Sequence, residues 1–214
     1  MATELAPRPC ICLGSVTSRR GAWWGVAFVA TLAVGGAMVT LPTATQSGRT
    51  IKAFYAAHTG VILAQQVLGV VTLAFFLAFA LALGARRRRW LLVGTVLLAF
   101  SELVTDIVPI VLALTSPGPD GAHAWTVIED LADEALFISI AVFSVAATVA
   151  EVGWVRAAGL VVAAISLLRV VLTLFSVSAL DVLAPVGFLI LILILSVRSL
   201  MGRSKPMPTS TAYS

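Results

Sequence analysis

The sequence is poor in charged residues. Only 11% of its 214 residues are charged, against about 25% in an average soluble domain. In contrast, 60% are hydrophobic and the mean hydropathy is +1.05. This scarcity of charge excludes an ordinary soluble domain and indicates an integral membrane protein, whose main partner is the lipid bilayer.

The side chains and motifs of common catalytic sites are also scarce. The chain has no G-x-S-x-G segment, no phosphate-binding Gly-rich loop and no Ser/His/Asp arrangement. Cys10 and Cys12 form a lone C-x-C. His58 and His123 could supply one haem or zinc site, so a metal or haem enzyme stays open as a third class of function. We nevertheless expect no catalytic residue, no metal and no cofactor.

Six apolar stretches are long enough to cross a hydrocarbon core of roughly 30 Å, which takes about 20 helical residues. They predict an all-α fold, a polytopic membrane protein whose six-transmembrane-helix bundle covers 22–200. A tail, 1–21, precedes the bundle, and a second tail, 201–214, rich in Pro, Ser and Thr, is expected to be disordered. The predicted spans are 22–41, 59–84, 90–114, 125–149, 154–177 and 180–198.

Positive charge is distributed unevenly between the two ends of these spans. Four consecutive arginines, Arg86–Arg89, separate the second and third spans, and such a loop is typical of the cytoplasmic side. That placement puts 11 of the 14 Lys and Arg residues in the cytoplasm, leaves Arg49 and Lys52 outside, and keeps Arg169 within a span. We therefore predict that the N-terminus and the C-terminus are both cytoplasmic. The net charge of +4 reflects topology and does not indicate nucleic-acid binding.

Three ionisable residues fall deep within the predicted spans. Glu102 and Asp106 lie four residues apart, on one face of span three, and Arg169 lies near the middle of span five. A charge at the centre of a membrane helix costs about 2.5 to 3.5 kcal/mol on insertion scales, so each residue must face the bundle interior or a hydrated cavity. Because a guanidinium and a carboxylate at similar depth can form a bidentate pair, we predict that Arg169 pairs with Glu102 or Asp106.

A cluster of carboxylates marks the start of predicted span four. Two interpretations stay open. The cluster is either a solvated first turn that the helix macrodipole stabilises, or an outer vestibule that concentrates cations. Its members are Glu129, Asp130, Asp133 and Glu134.

Polar residues also follow one stripe of predicted span two. His58 is followed by Gln65, Gly69 and Thr72 at offsets of seven, eleven and fourteen. Gly and Thr at such spacing favour close helix packing. His58 is either an interfacial histidine bonded to a neighbouring carbonyl or carboxylate, or a proton acceptor or ligand.

Arranged by depth, these residues predict a buried polar site that opens outward. We expect it to bind or move a small cationic or zwitterionic solute. The alternative is a non-catalytic membrane module, such as an accessory subunit, sensor or assembly factor, whose buried ions specify packing. The candidate substrate-binding residues are Glu102, Asp106, Arg169, His58, Gln65, Asp133 and Glu134.

One short segment resembles a known group of proteins. Phe54-Tyr55-Ala56-Ala57-His58 is similar to the F-Y-x-x-H segment that precedes the second span in uncharacterised six-span integral membrane proteins of GC-rich bacteria, a domain-of-unknown-function group. The resemblance extends to the six-span layout over most of the chain. It implies the fold, a location in the bacterial plasma (inner) membrane and the recurrence of Phe54, Tyr55 and His58, and it implies no particular activity.

Overall fold

The computed structural model describes residues 17–84, 88–175 and 179–201. These ranges are all-α and contain no strand, as the sequence predicts. Five of the helices, α2 to α6, are long and apolar enough to cross a membrane, so the chain is a helical, multi-pass membrane protein. The helices are α1 Thr17–Gly36, α2 Gly48–Ala82, α3 Arg89–Thr115, α4 Pro119–Thr148, α5 Gly153–Thr173 and α6 Leu183–Met201.

Helix α1, which is not one of these five, is the least apolar of the six described helices. It has 20 residues, and it begins and ends five residues before the predicted span 22–41. Its first turn contains Arg19 and Arg20, which leaves about 16 residues for the hydrocarbon region. Most of the predicted tails 1–21 and 201–214, together with Arg86 and Arg87, lie outside the described residues.

Two helices begin well before the spans predicted for them. Helix α2 begins at Gly48 because the Ser47 side chain caps it by accepting the Thr50 N–H at 3.3 Å. Helix α4 begins at Pro119, and a proline in the first turn lacks only an N–H that would be unpaired there. The two N-termini meet, since a Cβ on Gly48 would overlap the Pro119 carbonyl oxygen.

The early start of α4 overturns one of the interpretations of its carboxylate cluster. Glu129, the first carboxylate of that cluster, is the eleventh residue of the helix. The cluster therefore lies about three to four turns after the start of the helix, beyond the reach of the macrodipole at the first turn. The prediction of a solvated first turn is wrong.

The six helices form a ring, and α4 contacts four of the other five. Each helix contacts the next along the chain, and α6 closes the ring against α1. Helix α4 also contacts α2 and α6 across the ring. Within the described residues α3 and α5 do not contact each other, because α4 lies between them.

Basic residues and tryptophans gather at one end of the bundle, which we call the arginine end. It comprises the start of α1, α3 and α5 and the end of α2, α4 and α6. Exposed Trp23, Trp90 and Trp154 lie there, as expected for amphipathic rings at a membrane interface. The basic residues of this end whose side chains the structure describes are Arg20, Arg88, Arg89, Arg156 and Arg198.

Two apolar clusters build the core, one toward each end of the bundle. Near the arginine end four phenylalanines from α1, α2, α4 and α6 pack with ring centroids 5.1 to 6.4 Å apart. They are Phe28, Phe76, Phe143 and Phe188. Near the opposite end a smaller cluster contains Ile51, Tyr55, Val108, Leu112 and Ala122.

Candidate functional site

Polar residues fill the level of the bundle between the two apolar clusters. On α3, Glu102 and Asp106 lie between Leu98 of one cluster and Val108 of the other. On α2 and α4 the polar residues likewise lie between residues of the two apolar clusters. We call this level the polar layer and define it by Gln65, Gln66, Glu102, Asp106, Glu129, Asp133, Glu134 and Arg169.

Arg169 is the only described basic side chain in the polar layer, and carboxylates surround it. Its Nη2 lies 2.6 Å from Asp133 Oδ2 and its Nη1 lies 2.9 Å from Glu134 Oε1. Its Nε lies 3.3 Å from Asp181 Oδ1, in the segment before α6. The guanidinium carbon is 3.9 Å from the centre of the Phe137 ring. We call these residues the Arg169 cluster, which joins α4, α5 and the segment before α6.

The predicted pairing of Arg169 with Glu102 or Asp106 is wrong. Helix α5 contacts α4 and α6 and does not reach α3. The Arg169 side chain is only 11% exposed, its two Nη atoms donate hydrogen bonds to Asp133 and Glu134, and its Nε lies near Asp181. The structure therefore joins three of the residues predicted for the site, Arg169, Asp133 and Glu134, and separates them from the carboxylates of α3.

Asp106 is buried against a glycine of the neighbouring helix. It is 5% exposed, and a Cβ on Gly69 of α2 would overlap its Oδ1 and lie 2.9 Å from its Cγ. Its Oδ2 has no hydrogen-bond donor among the described residues. The absence of a side chain at Gly69 thus makes the space that Asp106 occupies.

Glu102 and Asp106 also lack a counter-charge among the described residues. Among the residues that the structure describes, ion pairs involve only Arg169 and Arg198, and neither pairs with a carboxylate of α3. A buried carboxylate without a partner is costly in an apolar medium. Asp106 is the buried one of the two, whereas Glu102 is partly exposed. The buried atoms of the polar layer without a hydrogen-bond partner among the described residues are Asp106 Oδ2, Gln65 Oε1, Glu134 Oε2 and Arg169 Nε.

The other two carboxylates of the α4 cluster, Glu129 and Asp130, have neutral partners. Glu129, 8% exposed, accepts a hydrogen bond from the Tyr55 hydroxyl at 3.3 Å. Asp130 accepts the Ala44 N–H at 2.9 Å. These contacts tie α2 and the loop that precedes it to α4. The site residues predicted from the sequence did not include Tyr55, and the signal that could have placed it is Ser47, which starts α2 early enough for Tyr55 to be helical.

His58 and Gln65 occupy different surroundings. His58 is exposed, its Nδ1 lies 2.9 Å from the Phe54 carbonyl oxygen, and its ring stacks on Phe54 with centroids 4.4 Å apart. Gln65 donates a hydrogen bond to the Val39 carbonyl at 3.2 Å, and its Oε1 is buried without a partner. Gln65 therefore belongs to the polar layer, whereas the structure does not bring His58 into it.

Negative charge dominates the polar layer and its immediate neighbours. Its described ionisable side chains are one guanidinium, which contacts three carboxylates, and four further carboxylates that it does not contact. Within the described ranges no three Asp, Glu, His or Cys side chains converge as a metal site would require. The carboxylates are Glu102, Asp106, Glu129, Asp130, Asp133, Glu134 and Asp181.

Comparison of the chain with protein-family models, with curated proteins and with solved structures finds no match in any of the three. The geometry of the polar layer is suited to holding positive charge. It offers carboxylate oxygens in a low-dielectric level of the bundle, where their attraction for a cation is stronger than in water.

Proposed function

We propose that the polar layer binds a small cationic or zwitterionic solute, or moves it across the membrane, with Glu102 and Asp106 as the main ligands. The observation that supports this most is the buried Asp106 Oδ2, which has no donor among the described residues. A cationic ligand would supply the counter-charge that no described residue provides at this point.

The Arg169 cluster favours a cation over a zwitterion. A zwitterion would also need a donor for its anionic group. The guanidinium of Arg169 is already surrounded by Asp133, Glu134 and Asp181. Because three carboxylates face one guanidinium, the cluster itself adds negative charge to the layer.

Binding by the purified protein in lipid nanodiscs tests this proposal. The probes are ethidium, tetraphenylphosphonium and choline, each titrated against the wild type, Glu102→Gln and Asp106→Asn. We expect at least one probe to bind the wild type, and each variant to bind it about tenfold or more weakly, because one charged contact is lost. Glu151→Gln is the matched control, since Glu151 pairs with Arg198 at the arginine end, 3.5 Å away.

The variants that lose binding must keep the helical content of the wild type and elute as a single monodisperse peak in size-exclusion chromatography. If no probe binds the wild type, or if both variants bind as well as the Glu151→Gln control, the proposed site is wrong.

The alternative function is a non-catalytic membrane module, and the Arg169 cluster is the observation that favours it. Three ion pairs on one guanidinium join α4, α5 and the segment before α6, and such a group can specify packing. In that case Arg169→Leu lowers the yield of folded protein, and Arg198→Leu is the matched control for that measurement. Glu102→Gln and Asp106→Asn then change no binding activity.

We also propose that α1 is a sixth span, that both termini are cytoplasmic and that the membrane is a bacterial plasma membrane. The arginine end supports this orientation, because positive charge is enriched in cytoplasmic loops, and the F-Y-x-x-H resemblance implies the same layout. A green fluorescent protein fused after Ser214 should fluoresce, and alkaline phosphatase inserted after Thr45 should be active. Alkaline phosphatase activity at the C-terminus would contradict this orientation.

A further inference from the structure

A groove of about 450 Å³ runs along the outside of the bundle where α3 and α5 stand apart. Helix α4 forms its floor, Trp90 of α3 forms one wall, and Ala163 and Leu167 of α5 form the other. Every side chain that lines it is apolar. The floor residues are Ile138, Ala141, Val142, Val145, Ala146 and Val149.

The groove extends over the depth of one membrane leaflet. Its floor runs from Ile138 to Val149, eleven residues or about 16 Å at 1.5 Å per residue. Half of a hydrocarbon core of roughly 30 Å is about 15 Å. Because Val149 and Trp90 lie at the arginine end, the groove opens at that interface and ends near the level of the polar layer.

The width of the groove suits an acyl chain. About 450 Å³ spread over about 16 Å gives a mean cross-section of about 28 Å², roughly 6 Å across. A helix with its side chains is about 10 to 12 Å wide. The groove is therefore narrower than a whole helix, and its length matches that of an acyl chain in one leaflet.

Two arginines near the mouth of the groove have no carboxylate partner among the described residues. Arg89 directly precedes Trp90, and Arg156 precedes Ala163 by seven residues, which places both on one face of α5. Arg89 and Arg156 are exposed and form no ion pair with any described residue. Arg198 at the same end differs, because Glu151 lies 3.5 Å from it.

We propose that this groove is a binding site for an anionic phospholipid, with an acyl chain along α4 and the phosphate held by Arg89 and Arg156. The apolar lining accounts for the chain, and the two guanidinium groups account for the negative headgroup. Trp90, which is 70% exposed, lies at the headgroup level where its indole is favoured.

Native mass spectrometry of lipid-bound protein tests this proposal. The wild type is mixed with equal amounts of phosphatidylglycerol and phosphatidylcholine, and the retained lipids are counted. We expect preferential retention of one phosphatidylglycerol. Arg89→Gln/Arg156→Gln should reduce that preference about 25-fold, because the variant removes two basic residues and each contributes as much as a Lys or Arg usually does at an anionic surface. Arg49→Gln/Lys52→Gln is the matched control at the opposite end.

A second variant tests the acyl-chain site separately from the charges. Val145→Trp fills the groove at a residue that is already 38% exposed, and it should lower retention of both lipids. Val67→Trp is its control, because Val67 is 64% exposed on α2 and does not line the groove. Four results would each overturn the proposal. The first two are equal retention of the two lipids by the wild type and an equal loss of preference in the Arg49→Gln/Lys52→Gln control. The other two are unchanged lipid retention in Val145→Trp and a dimer that Val145→Trp dissociates.

Discussion

At the scale of single residues, the contact between Asp106 and Gly69 shows how a carboxylate is accommodated in the bundle. Asp106 occupies the space that a side chain on Gly69 would need. The two residues come from different helices, so the contact also determines how closely α2 and α3 approach. A polar group is buried here at the expense of a hydrogen bond, because Asp106 Oδ2 lacks a donor among the described residues.

Replacement of Gly69 by alanine tests this contact. The added Cβ would overlap Asp106 Oδ1, so we expect Gly69→Ala to lower the free energy of unfolding by about 1 to 3 kcal/mol, as overpacking usually does. Gly60→Ala on the same helix is the control, since nothing lies within 4 Å of a Cβ there. The measurement is equilibrium unfolding in mixed detergent and lipid micelles.

The double variant Gly69→Ala/Asp106→Ala should recover most of the lost stability, because it removes the overlapping carboxylate. If Gly69→Ala is as stable as Gly60→Ala, α2 and α3 do not approach each other as described.

Arg169 illustrates which residue-level features were predictable from the sequence. The energetic cost of a lone charge in the bilayer correctly required a carboxylate partner for it. The choice of partner depended on helix adjacency. A signal was present, because only four residues separate α4 from α5, and so short a connection makes antiparallel neighbours. Counted from that connection, Asp133 and Arg169 have matching depths, 15 residues before Thr148 and 16 after Gly153.

At the scale of elements, α4 determines the arrangement of the bundle. It contacts α2, α3, α5 and α6, and small residues on its neighbours allow the close approach. A Cβ on Gly94 of α3 would lie 2.9 Å from the backbone N and Cα of Phe143, and a Cβ on Gly159 of α5 would overlap the Thr148 side chain. Small residues at such contacts are typical of membrane helix packing.

The α3–α4 contact leads to a prediction for Gly94. The atoms of Phe143 that a new Cβ would meet belong to the backbone, so no side-chain rotation can relieve the overlap. We expect Gly94→Ala to lower the free energy of unfolding by about 1 to 3 kcal/mol in the same assay. Gly187→Ala is the control, because the nearest atom to its Cβ would be Val162 Cγ2 at an ordinary 3.7 Å. Equal stabilities of the two variants would contradict the described packing of α3 on α4.

Helix boundaries were predictable only where they coincide with the edge of the hydrocarbon region. The observed α3, Arg89–Thr115, lies within one residue of the predicted span 90–114 at each end. Helices α2 and α4 begin 11 and six residues early, because a hydropathy criterion detects only the part of a helix that lies in lipid. Their starts were encoded instead by local signals, the Ser47 cap and the proline at 119.

At the scale of the whole molecule, the bundle consists of two apolar clusters with a polar layer between them. Composition and apolar run lengths were sufficient to predict an all-α, multi-pass membrane protein, because the bilayer permits few other structures. They did not predict the ring order of the helices. That order depends on which side chains fit together, and it divides the intramembrane charges into a paired group around Arg169 and an unpaired group on α3.

A pair of double-mutant cycles on the free energy of unfolding tests most directly whether the charges around Arg169 are separate from those on α3. The first cycle combines Arg169→Leu with Asp133→Asn, and the second combines Arg169→Leu with Asp106→Asn. We predict a coupling energy of about 1 to 2 kcal/mol in the first cycle and less than about 0.5 kcal/mol in the second, as for residues without shared partners. A coupling with Asp106 as large as that with Asp133 would contradict the account.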